Sequence, residues 1–177
     1  MKIAIQEPGK SRKARDSEPM ILFTVAGRTF AIAAESVQEI RSTDGLAGSA
    51  HEIDDPEILK VRHTFERSHQ TCYVVNAGAH FRLPVTRPTL VLILRKLRVA
   101  LLVDRIERMA EITAIHPLPR AFEGQERAWY RGLTYVDDHV IPVINPGGFL
   151  TAQEFRHLDQ TTSAGATAAH DLEGARA

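Results

Sequence analysis

The sequence predicts a mainly β protein, a barrel or sandwich with few and short helices. Three observations carry that reading. Apolar runs of about strand length recur along the chain, each too short for a typical helix. Turn residues punctuate them at close spacing: Ala26-Gly27, Asp44-Gly45, Asp55-Pro56, Asp137-Asp138 and Asn145-Pro146-Gly147-Gly148. Helical spacing is sparse: it is suggested at Ala33–Arg41 and Phe149–Leu158 and left open after Asp104. Many short strands separated by turn signals are the pattern of barrels and sandwiches.

The stretch Thr89–Pro119 organises the rest. Leu90 to Leu94 is an apolar run, Arg95-Lys96-Leu97-Arg98 breaks it, and Val99 to Val103 is apolar again. Two such runs around a short polar break predict a hairpin buried on both faces or nearly so. The break lacks Asn-Gly or Asp-Gly, so the turn type stays open. After Asp104 the apolar residues thin to Ile106, Met109, Ile112 and Ile115. A spacing of three fits either a helical turn or a twisted, bulged strand. Pro117 and Pro119 end the stretch.

Upstream, Met20–Ala33 reads as two strands around Ala26-Gly27-Arg28, with glycine available for positive φ. Phe23 and Val25 share one face, Phe30 and Ile32 another. In Ala33–Arg41, Val37 and Ile40 lie three apart among Glu35, Gln38, Glu39 and Arg41, which suits a turn or two of helix, or helix running into strand. Ser42–Gln70 is the least regular segment. Thr71–Phe81 gives a strand to about Val75 and then a glycine-containing turn, and Arg82–Pro88 is a connector. Downstream, Arg120–Arg131 is a charged linker whose Trp129 is placed at the edge of the core. Gly132–Asn145 is a last hairpin turning at Asp137-Asp138. A short helix ends at Leu158. Residues 1–19 and 159–177 are expected to be disordered tails.

The chain has 177 residues, enough for one sizeable domain or two small ones sharing a core. Lys+Arg and Asp+Glu balance at 22 each, which gives no global attraction to nucleic acid or anionic membrane. The single cysteine, Cys72, permits no disulfide framework and reads as a small buried hydrophobe in a strand. His63, His69 and Cys72 match no metal-ligand spacing, so no metal or other cofactor is expected. Phosphate-cradling glycine loops, nucleophile elbows and H-E-x-x-H are absent from the sequence. The paired carboxylates Asp54-Asp55 and Asp137-Asp138 sit at turns, where Asp bonds its own backbone. The N-terminal residues lack an apolar signal-peptide core and no run approaches a membrane span. The expectation is a soluble, cytoplasmic, non-enzymatic protein.

Three blocks in order resemble the CheW family of chemotaxis coupling proteins. The first is the opening hairpin running into Val37-x-Glu39-Ile40. The second is Ala100-Leu101-Leu102-Val103-Asp104-Arg105-Ile106. The third runs from Gly132 through Val140-Ile141-x-Val143-Ile144-Asn145 to Phe149-Leu150. The resemblance covers about Met20 to Gln153. It implies two small five-stranded SH3-like β-barrel subdomains around a shared core, roughly 20–81 and 82–145, with the chain ends exchanged between them, in a domain spanning 20–158. It also implies a scaffold that binds the regulatory domain of a CheA-type histidine kinase and the cytoplasmic tip of chemoreceptors, with no nucleic acid and no membrane insertion. Val37, Glu39, Ile40, Asp104 and Ile106 are the partner-binding residues it points to, Glu39 first, because a charge gains little from core burial. The segment ERSHQTCYVVNAGAHF departs from the family pattern, with Asn76 where Asp is usual and without the following Leu-Arg. The resemblance therefore implies the fold more directly than receptor coupling. Two rival expectations are an adaptor that binds the kinase but not receptors, and a small β-barrel that binds nucleic acid through Lys10–Arg15 and Arg95–Arg98.

Overall fold

In the computed structural model, which describes residues 17–174 and side chains through residue 163, the chain forms two mixed sheets. The strands are β1 (Glu18–Val25), β2 (Arg28–Ala33), β3 (Val37–Ser42), β4 (Ala50–Glu52), β5 (Val61–Arg67), β6 (Gln70–Asn76), β7 (Leu90–Leu94), β8 (Val99–Val103), β9 (Arg105–Ile112), β10 (Tyr130–Val136) and β11 (His139–Ile144). A one-turn helix α1 (Ala77–His80) follows β6, and α2 (Ala152–Gly174) closes the described chain. One sheet runs β10-β11-β2-β1-β9 and the other β3-β7-β8-β6-β5-β4.

Three apolar clusters explain why so many strands are apolar at every position. Alternate residues of a strand face opposite sides of its sheet. In β1, Ile21, Phe23 and Val25 enter a central cluster, whereas Met20 and Leu22 enter a second one. In β7, Leu92 and Leu94 join the central cluster, whereas Val91 and Ile93 join a third with Cys72, Val74 and Ala100. The central cluster draws on both sheets. The second draws only on the five-stranded sheet and the residues beside it, the third only on the six-stranded sheet and the Leu46 loop. Each sheet thus covers its own outer face by bending round a small core. The hairpin expected at Leu90–Val103 is present and is buried on both faces.

Several expectations are corrected. The sheets have five and six strands, and neither closes on itself: β10 and β9 are the edges of one, β3 and β4 of the other. The cut placed between residues 81 and 82 falls inside the six-stranded sheet, because that sheet is the continuous segment from β3 to β8. Both flanking parts of the chain build the other sheet. Of the two alternatives for the 33–41 stretch, the second stands: a 3-10 helix, Ala34–Ser36, runs into β3. The 106–115 ambiguity resolves as strand β9, with a register shift opposite Leu22/Phe23. The 42–70 segment contains β4 and β5, and its β5–β6 turn uses Ser68 and His69 at φ 49° and 60°, without glycine. The N-terminal tail ends earlier than residue 19, since Glu18 and Pro19 pair with Ile112 and Glu111; residues 1–16, including Lys10–Arg15, lie outside the described residues.

The expected helix end at Leu158 is also wrong. Helix α2 continues to Gly174, and its first turns are tied down from distant strands. Thr151 caps it by a reciprocal exchange with Glu154. Leu158 is fully buried. Asp159 accepts two hydrogen bonds from Arg98, both at 2.8 Å, and one from the Tyr73 hydroxyl at 2.5 Å. Arg98 holds the Asp159 carboxyl below its ordinary range, and burial, with the bond to Asp159, pushes the Tyr73 hydroxyl up to about 12. Asp55, 3% exposed, accepts backbone N–H bonds from Glu57 and Ile58 and lies 2.8 Å from His157 Nε2 of the helix. Burial raises Asp55, and these partners together more than offset it, so its carboxyl stays low.

Gly132 shows how tightly the chain crosses itself. The 115–116 segment bridges to Leu133 through His116 N–H to Leu133 O, 2.7 Å, and Leu133 N–H to His116 O, 2.9 Å. A Cβ on Gly132 would land on the His116 carbonyl oxygen and 2.7 Å from Ile115 Cγ2. Gly132→Ala is expected to cost about 1–3 kcal/mol in urea unfolding, the range for overpacking. Gly48→Ala, where a Cβ meets nothing within 4 Å, is expected to stay within about 0.5 kcal/mol of wild type.

Candidate partner-binding surface

The residues expected to meet partners divide into two groups. Glu39 and Ile40 lie on β3, an edge strand that pairs only with β7. A register shift between Val37 and Glu39 turns the strand at that point. Val37 is buried in the central cluster and anchors the strand, while Ile40 is 41% exposed. Glu39 accepts from Arg41 Nε and Nη2 at 2.7 and 3.0 Å. Residues two apart on a strand share a face, so this pair lies along the edge. The Arg41 guanidinium holds the Glu39 carboxyl below its ordinary range. The edge therefore presents unpaired backbone groups, an exposed aliphatic side chain and a fixed ion pair. Edge strands of this kind accept an added strand or an apolar surface.

Asp104 and Ile106 sit where the chain passes from the six-stranded to the five-stranded sheet. The half-buried Asp104 carboxylate accepts from Ala26 N–H at 2.7 Å and from the Thr86 hydroxyl at 2.8 Å. Its carbonyl accepts from the Thr89 hydroxyl at 2.5 Å, and its N–H donates to Thr24 O at 2.9 Å. Asp104 thus fastens the β1–β2 turn, where Ala26 has φ 50°, to the connector before β7. Ile106 packs half-buried against the central cluster. Among the described residues no hydrogen bond or ion pair joins this group to Glu39 or Ile40.

Sequence reasoning did not single out a second exposed apolar strip. Tyr135 and Val140 face each other across β10–β11, both more than half exposed, and His116 stacks edge-on against Tyr135 at 5.5 Å. Their alternation with buried Thr134 and Ile141 was the available signal. Trp129, placed at the core edge by sequence, is half-buried against the central cluster. It packs at a tilt against His80, whose ring centroid lies 4.4 Å from Trp129, 4.8 Å from Phe149 and 5.0 Å from Phe81. Among the described residues, no helix is long and apolar enough to cross a membrane, and no three His, Cys, Asp or Glu side chains are grouped to hold a metal ion. Burial pushes the Cys72 thiol up to about 11, away from the thiolate form.

The comparisons with known proteins agree with this architecture. The family model for the CheW-like domain matches residues 19–154, and the chain belongs to that family. Among solved structures, the scaffolding protein TtCheW from Thermoanaerobacter tengcongensis superposes with a TM-score of 0.61 at 16% identity, covering 73% of this chain and 90% of that one. At that identity the likeness speaks for the fold. No curated protein matches the chain.

His80 offers a check on the packing around Trp129. It is 4% exposed, and its Nε2 has no hydrogen-bond partner among the described residues. Burial, with Lys60 nearby, lowers its pKa from 6.5 to about 3. The native ring stays neutral while the unfolded chain takes up a proton as pH falls below 6.5. Stability therefore falls with pH in that window, approaching about 1.4 kcal/mol per pH unit. Urea unfolding between pH 6.5 and about 5, above the titration of the lowered carboxyls, is expected to show this slope. His80→Phe is expected to remove one proton's worth of it, whatever its effect on absolute stability.

Proposed function

We propose that this protein is a non-enzymatic adaptor of a cytoplasmic chemosensory array. It holds the regulatory domain of a CheA-type histidine kinase and couples it to the cytoplasmic tips of chemoreceptors. The observation that carries this reading is the CheW-like domain itself, which spans residues 19–154 and leaves β3 as an edge, open on one side, bearing Glu39 and Ile40. A scaffold needs rigid, open strand edges rather than a cleft that surrounds a substrate. Glu39 and Ile40 meet the partner directly in this reading. Val37 and Ile106 anchor their strands in the central core, and Asp104 fixes the turns beside it. TtCheW, a scaffolding protein by description, is similar in fold.

A second reading keeps the kinase and drops the receptor. Where the family carries Leu-Arg, with its charged arginine, this chain has Ala77-Gly78 after β6, buried in α1. A surface built from that segment has lost its polar donors.

Biolayer interferometry against the regulatory domain of the CheA-type kinase from the same cell tests the proposal. Wild-type protein is expected to bind saturably. Ile40→Asp and Glu39→Arg are each expected to weaken binding about tenfold or more, equivalent to roughly 1.4 kcal/mol, with unchanged unfolding midpoints. Absence of wild-type binding, or full affinity in both variants, contradicts it. Kinase binding without co-sedimentation of receptor tips selects the second reading.

A further inference from the structure

The turn end of the six-stranded sheet forms an open polar pocket of about 280 Å³. Three elements converge on it: Gln38 from β3, Arg67, Ser68 and Gln70 around the β5–β6 turn, and Lys96 and Arg98 around the β7–β8 turn. Every charged side chain lining it is a cation. Neither Arg67 nor Lys96 enters an ion pair among the described residues. The side chains of Gln38, Ser68 and Gln70 likewise make no hydrogen bond there.

The third cation is held in place. Arg98 gives Nη1 and Nη2 to Asp159, and its guanidinium carbon lies 5.6 Å from the Tyr73 ring centroid and 5.3 Å from that of Phe155. Its Nε–H takes no part in that pair, so a donor remains on a guanidinium already fixed by its neighbours. The carboxylates nearest the pocket have closer partners than Arg67 and Lys96: Asp159 bonds Arg98, Glu39 bonds Arg41 while also feeling the charge of Arg67, and Glu66 accepts from the Thr71 hydroxyl at 2.7 Å. Arg67 and Lys96 have no carboxylate within ion-pair distance among the described residues, and an anion bound between them and Arg98 relieves their mutual repulsion. The space between the three cations admits a carboxylate or phosphate group.

We propose that this pocket is an oxyanion site that receives a single carboxylate or phosphate group. It is built from this chain's own side chains and does not rest on the adaptor reading. The bound group is either free inorganic phosphate or an acidic side chain, and the same cations serve both.

Amide NMR titration of the full chain tests this at constant ionic strength, with sodium chloride as the reference salt. One arm uses inorganic phosphate and the other N-acetylglutamate. Saturable shifts centred on Gln38, Ser68, Gln70 and Leu97 are expected in at least one arm. Arg67→Gln and Lys96→Gln are each expected to weaken binding about fivefold, the worth of one exposed charge contact, and the surface substitution Arg105→Gln to leave it unchanged. Saturation by phosphate at far lower concentration assigns the site to phosphate. Saturation by the glutamate carboxylate at equal or lower concentration assigns it to an acidic side chain. Shifts that stay linear in both arms, match those from chloride, or persist in the Arg67→Gln/Lys96→Gln double variant overturn the proposal. Kinase binding is untouched by that outcome, so the two readings fail separately.

Discussion

The layer shared by the two sheets is the constraint on which the rest depends. Phe23, Tyr73, Leu92, Leu101 and Ile144 are wholly buried there, contributed by strands far apart in sequence. Fully burying side chains of this size contributes roughly 1.5–3 kcal/mol each before entropy is charged against it. Because β1, β7 and β8 also bury their alternate residues in the smaller clusters, each of these strands is fixed from both sides. A one-residue slip would exchange Leu22 for Phe23, or Ile93 for Leu92, between cores of different shape. The two sheets therefore form one packed unit, although each bends round a core of its own.

That unit sets what the surface can do. β3 is an edge whose first residue, Val37, is sunk in the shared core while its later residues reach solvent. The strand is thus rigid at one end and available along its outer side. Asp104 performs a related task at the passage between the sheets, where one carboxylate holds a turn 78 residues away in sequence. Helix α2 closes the same layer from outside. Its polar anchors, Asp55 and Asp159, keep buried or half-buried charges satisfied, and Leu158 supplies the apolar plug.

The sequence made the strands legible where local chemistry decides them. The Leu90–Val103 hairpin, the Ala26-Gly27 turn and the Asp137-Asp138 turn all stand as their residues suggest, the last with both aspartates at positive φ. The β5–β6 turn escaped because Ser68 and His69 carry no glycine signal. The extension of helix α2 past Leu158 escaped because the residues there are small and polar, while its first turns are held by buried Leu158 and by Arg98 and Tyr73, 61 and 86 residues from Asp159. Of the expected surface residues, Glu39 and Ile40 are outward, as a charged residue beside a strand edge suggests. Val37, Asp104 and Ile106 carry the same motif for an architectural reason, which a linear pattern does not separate from a contact role.

Native-state hydrogen exchange tests the claim that both sheets hang on one shared layer. The amides of β1 in the five-stranded sheet and of β7–β8 in the six-stranded sheet are expected to exchange only through global unfolding, with the same free energy and the same denaturant dependence. Exchange of β1, β2 and β11 at a distinctly lower free energy than β7 and β8 would mean two independently opening units, and would contradict it.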